Sequence, residues 1–169
     1  MARHLTVESM LQESLVEITL VAKYCLEFQK DMRIWGAPGC YGYPAAVLLF
    51  SIADSIGSYV IGGQTKDHFN ILNHKDYYNL SLSNKTIDDI YKKFRCLLTH
   101  NAALPAKTQL NIGIKTDPVI QIVNSDMRLN LIPFYYKTKD AVLEFLTNAQ
   151  NIVPNSKQLK RILNSSAIS

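Results

Sequence analysis

The chain has 169 residues, 47% hydrophobic and 19% charged, and carries a formal charge of +4. That length suits one domain with a sizeable core, and the globular composition, without low-complexity tracts, excludes a disordered or fibrous chain. Mild basicity permits a nucleic-acid partner without arguing for one, because clustering is what matters.

Residues 6–31 read as a long amphipathic helix. Val7, Met10, Leu11, Leu15, Ile18, Ala22 and Cys25 recur at helical spacing, Glu8, Glu13, Glu17 and Lys23 lie off that stripe, and Thr6 suits the N-cap. Glutamates throughout this stretch predict no signal peptide, and hence a cytoplasmic location. Residues 35–43, with Trp35, Gly36, Pro38, Gly39 and Gly42, read as a loop. Pro44 then suits the start of a second helix, and Gly62-Gly63 its end.

Residues 44–63 are almost entirely apolar and about long enough to span a membrane. Asp54 lies at their centre, however, where an ionised carboxylate costs roughly 2.5–3.5 kcal/mol on insertion. A buried helix with no membrane contact is therefore expected. Ser51, Asp54, Ser55 and Ser58 fall at i, i+3, i+4 and i+7, a narrow polar stripe on this helix. A buried carboxylate needs a partner. Arg95 is one candidate; a structural hydrogen bond is the other. Ala46, Ala53 and Gly57 point to close helix packing.

A short helix is expected over 66–80, and a clearer one over 86–101, with Asp88 and Asp89 in its first turn. Four helices suffice for a bundle. The period then changes. Residues 109–115 alternate Leu110, Ile112 and Ile114 with polar residues or glycine, 116–118 form a turn, 119–123 are β-branched, and 128–132 suit a third strand. A last helix is expected over 138–152. The predicted architecture is mainly α: an up-down four-helix bundle, a small antiparallel hairpin or meander, and a C-terminal helix. Residues 1–153 form one domain in this reading, and 154–169 a polar, basic, frayed tail.

The chemistry concentrates at the end of the fourth helix, in Phe94-Arg95-Cys96-Leu97-Leu98-Thr99-His100-Asn101. Arginine grips a phosphate with two parallel donors, and histidine exchanges a proton near neutral pH. Together they are a minimal kit for phosphodiester chemistry without a metal or other cofactor. At roughly 100° per residue, Ile87, Ile90, Tyr91, Phe94, Leu97 and Leu98 share an apolar face. Arg95 and His100 flank it roughly 140° apart, with Lys92, Cys96 and Thr99 between them. On that wheel the two cannot form a tight contact through their own helix, but a second surface docking on this polar face (another helix, an RNA strand or a second subunit) would see both at once.

The segment from Tyr91 to Asn101 resembles the Arg-x4–6-His motif that closes the last bundle helix of HEPN (higher eukaryotes and prokaryotes nucleotide-binding) proteins. The matching residues are Arg95 and His100, and Asp54 matches an acidic residue that many members carry on an earlier helix. The resemblance covers residues 6–105. It implies a homodimer with a composite cleft and an RNA- or nucleotide-binding activity. In many members this is metal-independent endoribonuclease action in defence or toxin–antitoxin systems, with an antitoxin or other protein partner. Others are inactive nucleotide-binding or protein-interaction modules. Arg95 would hold the scissile phosphate, His100 would move the proton of the 2′-hydroxyl or leaving group, and Asn101 would orient His100 or donate to phosphate. Lys92 and Lys93 are the basic candidates for contacting nucleic acid. Active members commonly carry Asn, Asp or His directly after the arginine; here it is Cys96.

Other signals are weaker. Three cysteines, Cys25, Cys40 and Cys96, form no C-x-x-C pair, and neither a disulfide framework nor a zinc site is expected. Of the four histidines, at 4, 68, 74 and 100, the His68/His74 spacing matches no helical metal pair. Trp35, Tyr41 and Tyr43 could stack on bases or pin their loop to the core. A Cys96 nucleophile with His100 as base ranks third, since nothing supplies an oxyanion hole.

Overall fold

A computed structural model describes residues 6–36, 38–101 and 103–166; the side chains of Trp35, Asn101 and residues 163–166 lie outside the described set. Helix α1 (Val7–Glu27) starts where Thr6 accepts a hydrogen bond from the Ser9 amide at 3.1 Å. It buries Leu11, Leu15, Ala22 and Cys25 of the expected stripe, half-buries Val7 and Ile18, leaves Met10 exposed, and stops at Glu27 as Phe28 turns extended. A single turn, α2 (Met32–Trp35), follows.

The central element is α3 (Gly42–Val60), buried along most of its length by Ala45, Ala46, Leu49, Phe50, Ile52, Ala53, Ile56 and Gly57. Helices apolar all round belong inside a core. Although α3 is long and apolar enough to cross a membrane, 56% of it is buried within the protein. It packs against α1 and against α7 (Leu131–Asn155), which also pack against each other. Gly62 and Gly63 end it with φ of 70° and 87°, a conformation costly for residues with a Cβ.

The expected helix over 66–80 is shorter. A turn of helix, α4 (Thr65–His68), tightens into a 3-10 segment (Phe69–Asn73), and turns follow. The Asn73 side chain holds them, donating to the Leu82 carbonyl and accepting from the Leu82 amide, each at 2.7 Å. Helix α5 (Asn84–Ile90) begins on a Ser83 cap, so Asp88 and Asp89 sit in its second turn rather than its first. The chain then widens into a π-helical segment (Tyr91–Leu98) before a final α turn, α6 (Thr99–Asn101).

The strands β1 (Thr108–Asn111), β2 (Ile120–Val123) and β3 (Asp126–Asn130) form one sheet in the order β1-β3-β2. An all-antiparallel hairpin or meander is thus corrected: β2 and β3 pair antiparallel, but β1 runs parallel to β3. The hairpin is set by Asn124 and Ser125, both at positive φ as a tight two-residue turn of the right twist requires. The parallel edge is tied by buried Asn130, whose side chain accepts from Asn111 at 2.8 Å and donates to the Pro118 carbonyl at 2.7 Å.

Helix α7 starts seven residues before the expected position because Pro133 falls in its first turn, where a missing N–H costs nothing. The domain boundary expected at residue 153 falls inside α7. Nor is the tail frayed throughout: α8 (Lys157–Ser166) packs Leu159 and Ile162 against the core. The architecture is therefore mainly helical, with a small three-stranded sheet. Phe50 ties it together, with ring centroids 6.1 Å from Phe69, 5.4 Å from Phe94 and 4.8 Å from Phe134.

Candidate functional site

The π segment decides the geometry of the motif. Its backbone hydrogen bonds run i to i+5, so each residue turns the chain through less than the roughly 100° of an α-helix. Side chains five apart are drawn together. Arg95 Nη1 lies 2.9 Å from His100 Nε2. The expectation that the two could not form a tight contact through their own helix is overturned, because the wheel assumed α winding. Tyr91 and Cys96, also five apart, share a hydrogen bond, which with desolvation raises the Tyr91 pKa while the Arg95 charge opposes it. The same winding leaves Leu97 more than a third exposed, off the apolar face where it was expected, while Ile87, Ile90, Phe94 and Leu98 are buried.

Arginine has no acceptor. The Arg95–His100 contact therefore has Arg95 donating to the Nε2 lone pair, which requires a neutral His100 ring with its proton on Nδ1. Behind Arg95 lies Asp54 of α3, whose Oδ2 accepts from Arg95 Nε at 3.4 Å. Of the two partners considered for Asp54, Arg95 is one, and the second is a residue the sequence did not single out. His68, at the end of α4, places Nδ1 2.7 Å from Asp54 Oδ1. The result is a continuous run, His68–Asp54–Arg95–His100, from a buried imidazole to an exposed one. The one signal that could have found His68 is weak: a histidine in a short helix after a Gly-Gly stop.

Other expected members fall around this run. Lys92 and Thr99 are exposed, and Lys93 leans 3.8 Å from Asp89 one turn back. The side chain of Asn101 lies outside the described residues. Ser55, Ser58, Thr65 and Gln158 join Asp54, His68 and Arg95 around a polar recess of about 240 Å³. An apolar groove of about 490 Å³ runs from Val21 and Tyr43 to Leu98 and Thr99, and α1 exposes Val16, Leu20 and Tyr24. Tyr41 stacks on Phe28 with centroids 4.7 Å apart, so of the two readings for the loop aromatics it takes the packing one. Among the described residues no group of three or more His, Cys, Asp or Glu could hold a metal; His4 lies outside them.

Replacing Asp54 by Ala leaves His68 Nδ1 and Arg95 Nε without their shared acceptor. Unfolding in urea should show a loss of about 1–3 kcal/mol, the cost of stranding the buried His68 donor, to which the partly solvated Arg95 adds little. Asp54→Asn should recover only part of it, since one end of an amide accepts and the other donates. Compared with known proteins, the chain matches no family model, no curated protein and no solved structure.

Proposed function

We propose that this is a HEPN-type RNA-binding protein, its bundle helices being α1, α3, the α4–3-10 segment and the α5–π–α6 helix. It acts in the cytoplasm as a homodimer and cleaves RNA without a metal, in a defence or toxin–antitoxin setting with an antitoxin or other protein partner. The observation that supports this reading is the convergence of Arg95 Nη1 and His100 Nε2 on one point, 2.9 Å apart. A cation and an unprotonated nitrogen meeting at the surface match a phosphate flanked by a hydroxyl. The apolar groove that ends at Thr99 supplies a surface for the second copy, bringing two motif faces to one cleft.

In this mechanism a phosphate displaces the Arg95–His100 contact, and Arg95 neutralises its growing negative charge. His100 Nε2 takes the 2′-hydroxyl proton. The 2′-oxygen bonds to phosphorus, the bond to the 5′-oxygen breaks, and that oxygen receives its proton from His100 of the second copy, which enters the step as the protonated imidazolium and leaves it neutral. The products are a 2′,3′-cyclic phosphate and a 5′-hydroxyl. DNA, lacking the 2′-hydroxyl, is not a substrate.

His100→Ala should reduce cleavage in EDTA by about 100-fold or more while circular dichroism and unfolding stay unchanged. A wild type that is monomeric at micromolar concentration would overturn the composite cleft. One observation favours a second reading, a catalytically silent module that binds nucleotides or a protein in the same cleft. The residue after Arg95 is Cys96, and its thiol is engaged with Tyr91 rather than offering a polar group to substrate. Wild-type protein that binds RNA but leaves it intact, without metal and at any pH near neutral, would decide for that reading.

A further inference from the structure

We infer that His68 is a positioning residue that, through Asp54, holds Arg95 in the orientation that meets His100; the inference rests on the proposed Arg95/His100 site. The His68 side chain is nine-tenths buried, and its Nδ1 donates to Asp54 Oδ1 at 2.7 Å. Its other nitrogen, Nε2, is buried with no hydrogen-bond partner among the described residues. A buried polar atom without a partner is unfavourable. If residue 68 only filled space, an apolar side chain would serve at least as well. What the imidazole adds is the Nδ1 donor.

That donor acts on a carboxylate with two partners. Oδ1 faces His68 and Oδ2 faces Arg95. The terminal torsion of an aspartate is soft and broad, so without His68 the carboxylate is free to turn and Arg95 Nε loses a fixed acceptor. The scaffold behind His68 is correspondingly tight. A Cβ on Gly57 would collide with the His68 carbonyl, so α4 lies directly on the backbone of α3. The first turn of α4 is held by reciprocal hydrogen bonds between Gln64 and Asp67. His68 is thereby fixed to the same helix that carries Asp54, while the far end of the run, His100, is exposed.

The test uses the full-length protein labelled with 15N, and long-range proton–nitrogen spectra that report the tautomer of each histidine. In the wild type, His68 should carry its proton on Nδ1 and His100 should show an unprotonated Nε2. In His68→Leu, the His100 nitrogen shifts should move toward the average of two exchanging tautomers. RNA cleavage should fall roughly 100-fold in kcat with KM little changed, as for a slightly misplaced catalytic group. His68→Asn, whose amide nitrogen sits where Nδ1 does, should restore both. Unchanged His100 shifts in a folded His68→Leu protein would overturn the inference. If that variant does not fold, His68→Gln, which sets its donor one bond too far, makes the same comparison. The spectra do not depend on cleavage: a wild type that never cuts RNA defeats the nuclease reading, while the His100 shifts still decide the role of His68.

Discussion

Arg95→Lys is expected to lose RNA cleavage as deeply as Arg95→Ala, by about 100-fold or more, in a protein that unfolds at nearly the wild-type temperature. The charge survives this substitution; the fork does not. Arg95 uses Nε toward Asp54 and Nη1 toward His100, two donors set at a fixed angle on one planar group. A lysine ammonium is a single point on a flexible stem, and it can satisfy Asp54 or approach His100, but not hold both. Once the phosphate has displaced the His100 contact, lysine cannot present the second donor to it while the first stays on Asp54. Stability changes little because Arg95 is partly solvated, and ion pairs of that kind contribute only about 0–1 kcal/mol. Single-turnover cleavage in EDTA beside thermal denaturation of both variants makes the check. Wild-type rates from Arg95→Lys would show that charge alone suffices and that the Asp54–Arg95–His100 geometry has no part in the chemistry.

Phe94→Ala is expected to destabilise the fold by about 3–5 kcal/mol, the range for deleting a fully buried aromatic ring. In a chain of this size that lowers the melting temperature by on the order of 10 °C. Phe94 is completely buried and stacks on Phe50, with ring planes 19° apart. Phe50 in turn meets Phe69, beside His68, and Phe134 on α7. The cavity left by the ring would open at the junction of α3, the 3-10 segment, the π segment and α7, where neighbouring rings cannot collapse far without breaking their own contacts. The change sits one residue before Arg95. Urea unfolding followed by circular dichroism gives the energy, and the His100 nitrogen shifts give the local consequence. We expect the Arg95–His100 contact to loosen at denaturant concentrations where the rest of the helical signal is still native. A loss below about 1 kcal/mol would mean that the aromatic cluster does not anchor the π segment.

Much of the helical framework was legible because its signals are local. The Thr6 cap, the Leu11–Leu15–Ala22–Cys25 stripe and the Gly62-Gly63 stop each depend on residues within a turn or two, and each appears where expected. The polar stripe on α3 was equally readable, and Asp54 on it does meet Arg95. Elements governed by distant partners were not. The start of α7 was missed because Pro133 reads as a breaker until it is known to sit in a first turn. The parallel edge of the sheet depends on Asn130 reaching Asn111 and Pro118 across the loop, a choice no alternation pattern carries.

For the candidate site, the amino-acid order by itself determined the chemistry on offer: a guanidinium and an imidazole five residues apart, and a carboxylate on an apolar helix that had to find a partner. Tertiary structure alone decided how they meet. Helical periodicity assumes one residue every 100° or so, and nothing in the order of residues 91–98 announces the wider winding that brings Arg95 onto His100. Residue spacing likewise could not show that Gly57 lets α4 lie directly on α3, placing His68 behind Asp54. That contact joins residues fourteen apart through backbone packing, and packing depends on which surfaces the whole chain buries together.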